Sequence, residues 1–343
     1  MQILHSVPDR LLACDARDLH ALLGRPTLIF IEGERDPALF ISVLLHGNET
    51  SGWDGLRGYL ERHPRPARSL ALFIGNVAAA AAGLRALPEQ QDFNRIWRNA
   101  TGPGAALAAA VQGALADHQL FAAIDLHNNT GHNPYYSVVT DLDPGNLGLA
   151  LMFSEQAVYV EEPDTVLTRV FAGRCPSVTL EVGPVGDPRC TVRVYDYIER
   201  CMALDEVPRS QAGDLRLFRA RARVHIRPGI DFGFAGGGSG DHAEGNAGRN
   251  AAIAQWKPLT LTGGVEAVNF HDLPAGTVFA TTTLALSSAV QVLDVSHRDV
   301  TGDYFDLADG ELRLRMAVVP AMYTTDPYVV LQDCLCYFME RMN

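Results

Sequence analysis

Between residues 25 and 185, short aliphatic or β-branched runs alternate with helix-like stretches. That alternation is the pattern of an α/β sheet covered by helices. Thr27–Ile31, Leu39–Leu45, Leu70–Ile74, Ala122–Leu126 and Ser177–Val182 read as buried strands. Gly104 to Leu120 is alanine-rich and predicts a long helix, with shorter ones over Leu147–Gln156 and Val192–Leu204. Helices on both faces of a mostly parallel sheet fit these spacings, and ligand-binding residues then belong in loops just past the carboxyl ends of the strands. After about residue 208 the texture changes to alternating Arg and apolar residues and short strand-like runs. The expected organisation is an α/β domain over residues 1–208, with a mixed, mostly parallel sheet flanked by helices, followed by a smaller β-rich domain over 209–343. The glycine-rich stretch from Gly233 to Gly248 reads as a long surface loop, with a mobile lid as the sharper alternative. It lacks the Gly-Lys-Ser/Thr ending of a phosphate loop.

Two of these strands end in groups that bind metals. Leu44-Leu45 runs into His46-Gly47-Asn48-Glu49, and Ile124-Asp125-Leu126 runs into His127-Asn128. Two histidines and one carboxylate at strand ends are the ligand set of a hydrolytic zinc site, in which the fourth position is left to water that the metal acidifies to a pKa near ~7. A His-x-x-Glu pair alone is common by chance. The small polar Thr50-Ser51-Gly52 that follows, and a third donor on another strand, raise its weight. Asp125 is placed either to hydrogen-bond a ligand histidine or simply to end a strand.

Charge and cysteine content narrow the partners. A net charge of −12 disfavours nucleic acid and anionic membranes, so a small anionic substrate needs a local cluster of arginines. Twenty-eight residues are basic, and Lys257 is the sole lysine among them. Six cysteines form no CxxC pair and the N-terminal residues do not read as a signal peptide, which together suggest a reducing cytoplasm. No apolar run reaches the ~18 residues of a membrane span.

An ordered series of motifs resembles the succinylglutamate desuccinylase/aspartoacylase family of zinc carboxypeptidase-like enzymes. His46-Gly47-Asn48-Glu49, Gly75-Asn76 with Gly83-Leu84-Arg85, Asp92-Phe93-Asn94-Arg95, Asp125-Leu126-His127 and Leu180-Glu181-Val182-Gly183 occur in the family's order between residues 46 and 183. The resemblance implies one Zn²⁺ held by His46, Glu49 and His127, with Glu181 as general base. It implies that Arg85 polarises the scissile carbonyl, although the stretch Ala86–Gln91 is about two residues longer than the family pattern. Asn94 and Arg95 would bind a substrate carboxylate. Arg169 and Arg174 compete for a further arginine position, and Tyr323 is the nearest counterpart of a substrate-binding tyrosine from the C-terminal domain, with Tyr304 and Tyr328 as competitors. Glu181 lies in an apolar strand, where a carboxylate is costly unless paired or functional.

The expected function is that of a zinc-dependent amidohydrolase removing an acyl group from an N-acyl amino acid, with a homo-oligomer left open. The alternatives are a metallocarboxypeptidase acting on peptides and a zinc-binding protein without turnover.

Overall fold

A computed structural model describes residues 1–99, 101–129, 131–235 and 257–342. Most of Gly233–Gly248 lies outside these residues. The chain divides into two compact units: Met1–Asn129 with Pro134–Arg219 and the chain end from Arg341, and Ala220–Glu340 with the short segment Thr130–Asn133.

The larger unit is built on strands β1 (Gln2–Leu4), β2 (Thr27–Ile31), β3 (Ala38–Val43), β4 (Leu70–Ile74), β5 (Leu120–Asn129), β6 (Tyr136–Val139), β7 (Gln156–Tyr159), β8 (Ser177–Pro184) and the first residues of β9 (Arg216–Ile226). Their order in the sheet is β1-β2-β4-β3-β5-β8-β6-β7-β9. All neighbours are parallel except β2 with β4 and β6 with β8. Every residue of β3 and β4 is buried, as expected of strands covered on both faces.

Successive side chains of a strand point to opposite faces, and the core obeys that period. Leu39, Ile41, Val43, Ile124, Leu126, Leu180 and Val182 join one cluster with both ends of α1 (Leu19–Leu23), with Trp53, Leu56 and Tyr59 of α2 (Ser51–Arg62) and with Val194, Tyr197 and Ile198 of a later helix, Pro188–Ala203. Phe40, Phe73 and Ala123 face the other way, into a cluster with Trp97 and with Ala108, Val111 and Leu115 of the helix Pro103–Leu115. Asp125, His127 and Glu181 alternate with the first set, so they belong to the second face. The alanine-rich helix stops at Leu115, and Leu120 already starts β5, so the expected Gly104–Leu120 helix is too long by a turn. The break falls at Asp117-His118-Gln119, polar residues that close a turn through His118 N–H and Leu115 C=O.

The second unit contains a separate five-stranded sheet of β10 (Phe232–Phe234), β11 (Leu259–Leu261), β12 (Val278–Thr282), β14 (Phe305–Ala308) and β15 (Glu311–Leu314), in the order β10-β11-β12-β15-β14. It is antiparallel except between β10 and β11. In the same unit β13 (Val290–Asp294) pairs antiparallel with Ala222–Ile226 of β9, and β16 (Val319–Ala321) with β17 (Cys336–Arg341). Among the described residues, no helix is long and apolar enough to cross a membrane.

Just before β4, Arg68 is 2% exposed and donates to the carbonyls of Pro37 and Leu204, both at 2.8 Å, while its guanidinium carbon sits 3.7 Å from the Phe121 ring centre. Bonds from a charged donor and a cation–π contact of this kind make Arg68→Ala destabilising by about 3 kcal/mol, read from urea unfolding. A loss below about 1 kcal/mol, the scale of an exposed ion pair, would show that the buried guanidinium is not a structural tie.

Candidate metal centre

The geometry of the centre begins at the end of β3. Leu44, fully buried, takes φ 58°, a left-handed conformation that is rare for a branched residue and turns the chain out of the strand. His46 and Glu49 follow in a loop laid against the helix α3 (Val77–Ala82). Gly47 makes this approach feasible: a Cβ on it would lie 2.2 Å from the Ala80 nitrogen and 2.4 Å from the Ala79 carbonyl carbon.

His46, Glu49 and His127 are all buried and offer ligand atoms within 4.8 Å of one another. His46 Nδ1 lies 2.8 Å from Glu49 Oε1, His127 Nδ1 lies 2.7 Å from Glu49 Oε2, and the two Nδ1 atoms are 3.2 Å apart. The outward nitrogens are also fixed. His46 Nε2 meets Asp92 Oδ1 at 3.1 Å, and His127 Nε2 meets Asp125 Oδ2 at 3.0 Å. A carboxylate only accepts, so Asp92 and Asp125 each hold a proton on an Nε2, while each Nδ1 donates to Glu49 when its ring is charged and presents a lone pair when the ring is neutral. Two lone pairs and a carboxylate pointed at one spot repel unless a cation lies among them. A tetrahedral ion with ligands at ~2.0–2.1 Å separates its donors by roughly 3.3 Å, close to the spacing of the Nδ1 pair. The residues therefore fit zinc, with Asp92 and Asp125 orienting the two imidazoles.

The electrostatics show a centre that draws positive charge, proton or metal, in among its carboxylates. Burial pushes the Glu49 carboxyl up, but His46 and His127 outweigh it and hold the group well below the usual carboxylate range. Burial likewise opposes charge on His127, and Asp125 and Glu49 reverse the effect, so its pKa is raised. Asp92 is pushed up by burial and brought well below its ordinary value by His46, Arg85 and Arg95. Arg85 bridges the acidic groups, with Nη2 3.1 Å from Asp92 Oδ2 and Nη1 3.6 Å from Glu49 Oε1.

Glu181 is the cross-strand partner of His127 in the β5/β8 register, which puts the two side chains next to each other on one face. Burial raises its pKa to about 7 against the nearby His127 charge, and its Oε2 is enclosed without a hydrogen-bond partner among the described residues. Asn94 stands on the other side of the cluster, with Nδ2 3.4 Å from His127 Nε2 and Oδ1 accepting from Leu167 N–H at 3.1 Å. Arg95 follows it in a 3₁₀ turn, Phe93–Arg95, and donates to the Asn94 carbonyl.

Residues 35–194 match the family model of the succinylglutamate desuccinylase/aspartoacylase catalytic domain. Residues 35–194 thus carry the catalytic domain of the succinylglutamate desuccinylase/aspartoacylase family. Among solved structures, succinylglutamate desuccinylase/aspartoacylase from Rhodobacter sphaeroides superposes with a TM-score of 0.58 at 15% identity, covering 92% of this chain and 89% of that one. Murine aminoacylase 3 gives 0.55 at 16%, covering 90% and 97%, and succinylglutamate desuccinylase from Vibrio cholerae gives 0.54 at 14%, covering 90% and 82%. At such identities the likeness concerns the fold. No curated protein matches the sequence. The succinylglutamate desuccinylase/aspartoacylase assignment makes this the catalytic domain of a family of zinc hydrolases acting on amide bonds.

The other residues singled out in the sequence make contacts of their own. Arg169 donates to the Val160 and Glu161 carbonyls, and Arg174 to those of Leu115 and His118, so both guanidinium groups are engaged in tying backbone together. Tyr323 belongs to the second unit, where its ring is 1% exposed and stacks on Phe279 at 5.3 Å. Its hydroxyl is enclosed there without a partner among the described residues, within the core of that unit. Tyr304 packs on Phe338 in the same unit, and Tyr328 is half exposed.

Two residues gain roles that the motifs alone did not disclose. Asp92 orients His46 as described above. Asn128 accepts from Ser51 N–H at 3.2 Å and donates to Ser51 Oγ at 3.0 Å and to the Gly183 carbonyl at 2.9 Å. One buried amide thus ties the chain just after Glu49, the strand bearing His127 and the strand bearing Glu181. The signal for it was only its place beside His127.

Because Asp125 fixes the His127 tautomer, Asp125→Asn is expected to weaken zinc binding about 10–100-fold in a chelator competition. An unchanged affinity would mean that the ring is held by other contacts. Gly47→Ala should displace His46 and Glu49 together, and loss of stoichiometric zinc from a folded variant is the expected result.

Proposed function

We propose that this chain is a zinc-dependent amidohydrolase that removes the acyl group from an N-acyl amino acid or a related small carboxylate. The observation that carries this reading is the convergence of His46, Glu49 and His127 beside Glu181, the cross-strand neighbour of His127 on the same face of the sheet. Residues 1–208 form the proposed catalytic domain and 209–343 the accessory β-rich one.

Zinc, when bound to His46, Glu49 and His127, supplies a Lewis acid that acidifies water and polarises a carbonyl. Glu181 takes a proton from the attacking water. Burial raises the Glu181 pKa above the ordinary carboxylate range, the direction that suits a group that accepts a proton and returns it. The water oxygen bonds to the amide carbon, the C–N bond breaks, and Glu181 delivers the proton to the departing nitrogen. Arg85, a fixed cation beside Glu49, stabilises the negative charge that grows on the carbonyl oxygen. Arg95 and the Asn94 Nδ2 group bind the substrate carboxylate, since Asn94 Oδ1 is already engaged by Leu167.

The zinc-loaded protein, screened against N-acetyl, N-succinyl and N-formyl amino acids and short peptides, should cleave one of the acyl amino acids in preference to the peptides. Cleavage of peptides alone would replace this reading with a metallocarboxypeptidase. Glu181→Gln should keep one zinc per chain and lose about 10²–10⁴ in kcat. Full activity in that variant would remove Glu181 from the chemistry. Arg95→Ala should chiefly raise KM, by about tenfold or more, for carboxylate-bearing substrates; unchanged kinetics would assign the carboxylate to another group.

A further inference from the structure

The stretch between Arg85 and Asp92 has no regular secondary structure, yet its two ends hold Glu49 and His46 in place. Something must fix it, because both groups reach the centre from a loop and not from a strand. The side chain of Gln90 is placed to do this. Its Oε1 accepts from Asn76 Nδ2 at 2.9 Å, and its Nε2 donates to Asn76 Oδ1 at 3.1 Å, so the two amides form a closed reciprocal pair. The same Oε1 accepts from Leu87 N–H at 2.9 Å, and Gln90 N–H donates to the Leu87 carbonyl at 3.0 Å, which folds residues 87–90 into a turn held from both sides. Glu89, within that turn, takes φ 62°, a conformation that needs such support.

The other half of the pair is rigid. Asn76 is 1% exposed, caps α3 by accepting from Ala79 N–H, and donates its own N–H to the carbonyl of Leu44, two residues before His46. Farther along the same loop, Gly47 N–H donates to the Arg85 carbonyl at 3.0 Å. Hydrogen bonds therefore run in a ring from the end of β3 through Asn76 and Gln90 into the Arg85–Asp92 loop, and from Arg85 back to Gly47.

We propose that Gln90 is a positioning residue: its amide pair with Asn76 holds the loop bearing Arg85 and Asp92 in register with the loop bearing His46 and Glu49. The functional consequence rests on the role given to Arg85 above, whereas the mechanical one does not. Removing the Gln90 amide leaves the buried Asn76 amide without this partner and frees the 87–90 turn, so Arg85 and the Arg85–Gly47 bond lose their support.

The test compares the zinc-loaded full chain with Gln90→Met, Arg85→Ala and the double variant, by amide hydrogen exchange, zinc content and steady-state kinetics on the N-acyl amino acid cleaved best in the screen. Gln90→Met should retain zinc, show about tenfold faster exchange both in residues 83–92 and in residues 44–49, and lose about tenfold in kcat with KM little changed. In the Arg85→Ala background the same change should cost no further kcat. Gln90→Glu, which keeps the acceptor and turns the bond donated to Asn76 into a contact between two acceptors, should move each readout in the same direction, and it serves if Gln90→Met does not fold. Unchanged exchange in both segments, or a kcat loss that adds to that of Arg85→Ala, would overturn the proposal. If Arg85→Ala itself leaves kcat intact, the reading of Arg85 fails, and the exchange data still decide whether Gln90 holds the loop.

Discussion

The constraint on which the rest depends is the pair of imidazoles whose Nδ1 atoms face each other at 3.2 Å. Neither ring can rotate away, because Asp92 and Asp125 each hold an Nε2. Bringing two lone pairs and the Glu49 carboxylate together in a buried space is unfavourable without a cation, and the fold accepts that cost in several places. Leu44 is held in a left-handed conformation, Gly47 is pressed against α3, and Asp125 is buried in the middle of a sheet. Features of this kind concentrate where a site must be pre-formed.

The sheet supplies the precision. β3 and β5 are parallel neighbours, so His46 and His127 emerge at the same edge, and β8 brings Glu181 level with His127 through its register. What the strands cannot supply is added by side-chain amides. Asn128 ties the chain ends around Glu49, His127 and Glu181, and the Asn76–Gln90 pair secures the loop that follows α3. A hydrolytic centre of this type therefore depends on two kinds of rigidity: backbone register for the ligands and base, and amide ties for the surrounding loops.

Much of this was legible in the residues themselves. Thr27–Ile31 and Leu70–Ile74 are largely apolar runs bounded by Pro26 and Glu32 and by Ser69 and Gly75, and they form strands with those same limits. α2 was harder to read, because Gly52, Gly55 and Gly58 depress helix propensity although Trp53, Leu56, Tyr59 and Leu60 carry the period. β6 and β7 are four residues each and leave too short a pattern. The metal cluster was accessible because ligand chemistry shows in residue type and its place at strand ends. The tasks of Asp92, Asn128 and Gln90 were not, since each is defined by partners between 14 and 77 residues away. The stacking of Tyr323 on Phe279 was likewise out of reach, because the two are 44 residues apart and no motif joins them.

The central claim is that a metal ion is held by two imidazole nitrogens and one carboxylate, with no thiolate. X-ray absorption at the zinc edge of the loaded protein tests it directly. The account predicts one zinc per chain in a shell of nitrogen and oxygen at ~2.0–2.1 Å, with the outer-ring scattering of two imidazoles. A sulfur shell near ~2.3 Å, or zinc that fails to bind stoichiometrically, would contradict it.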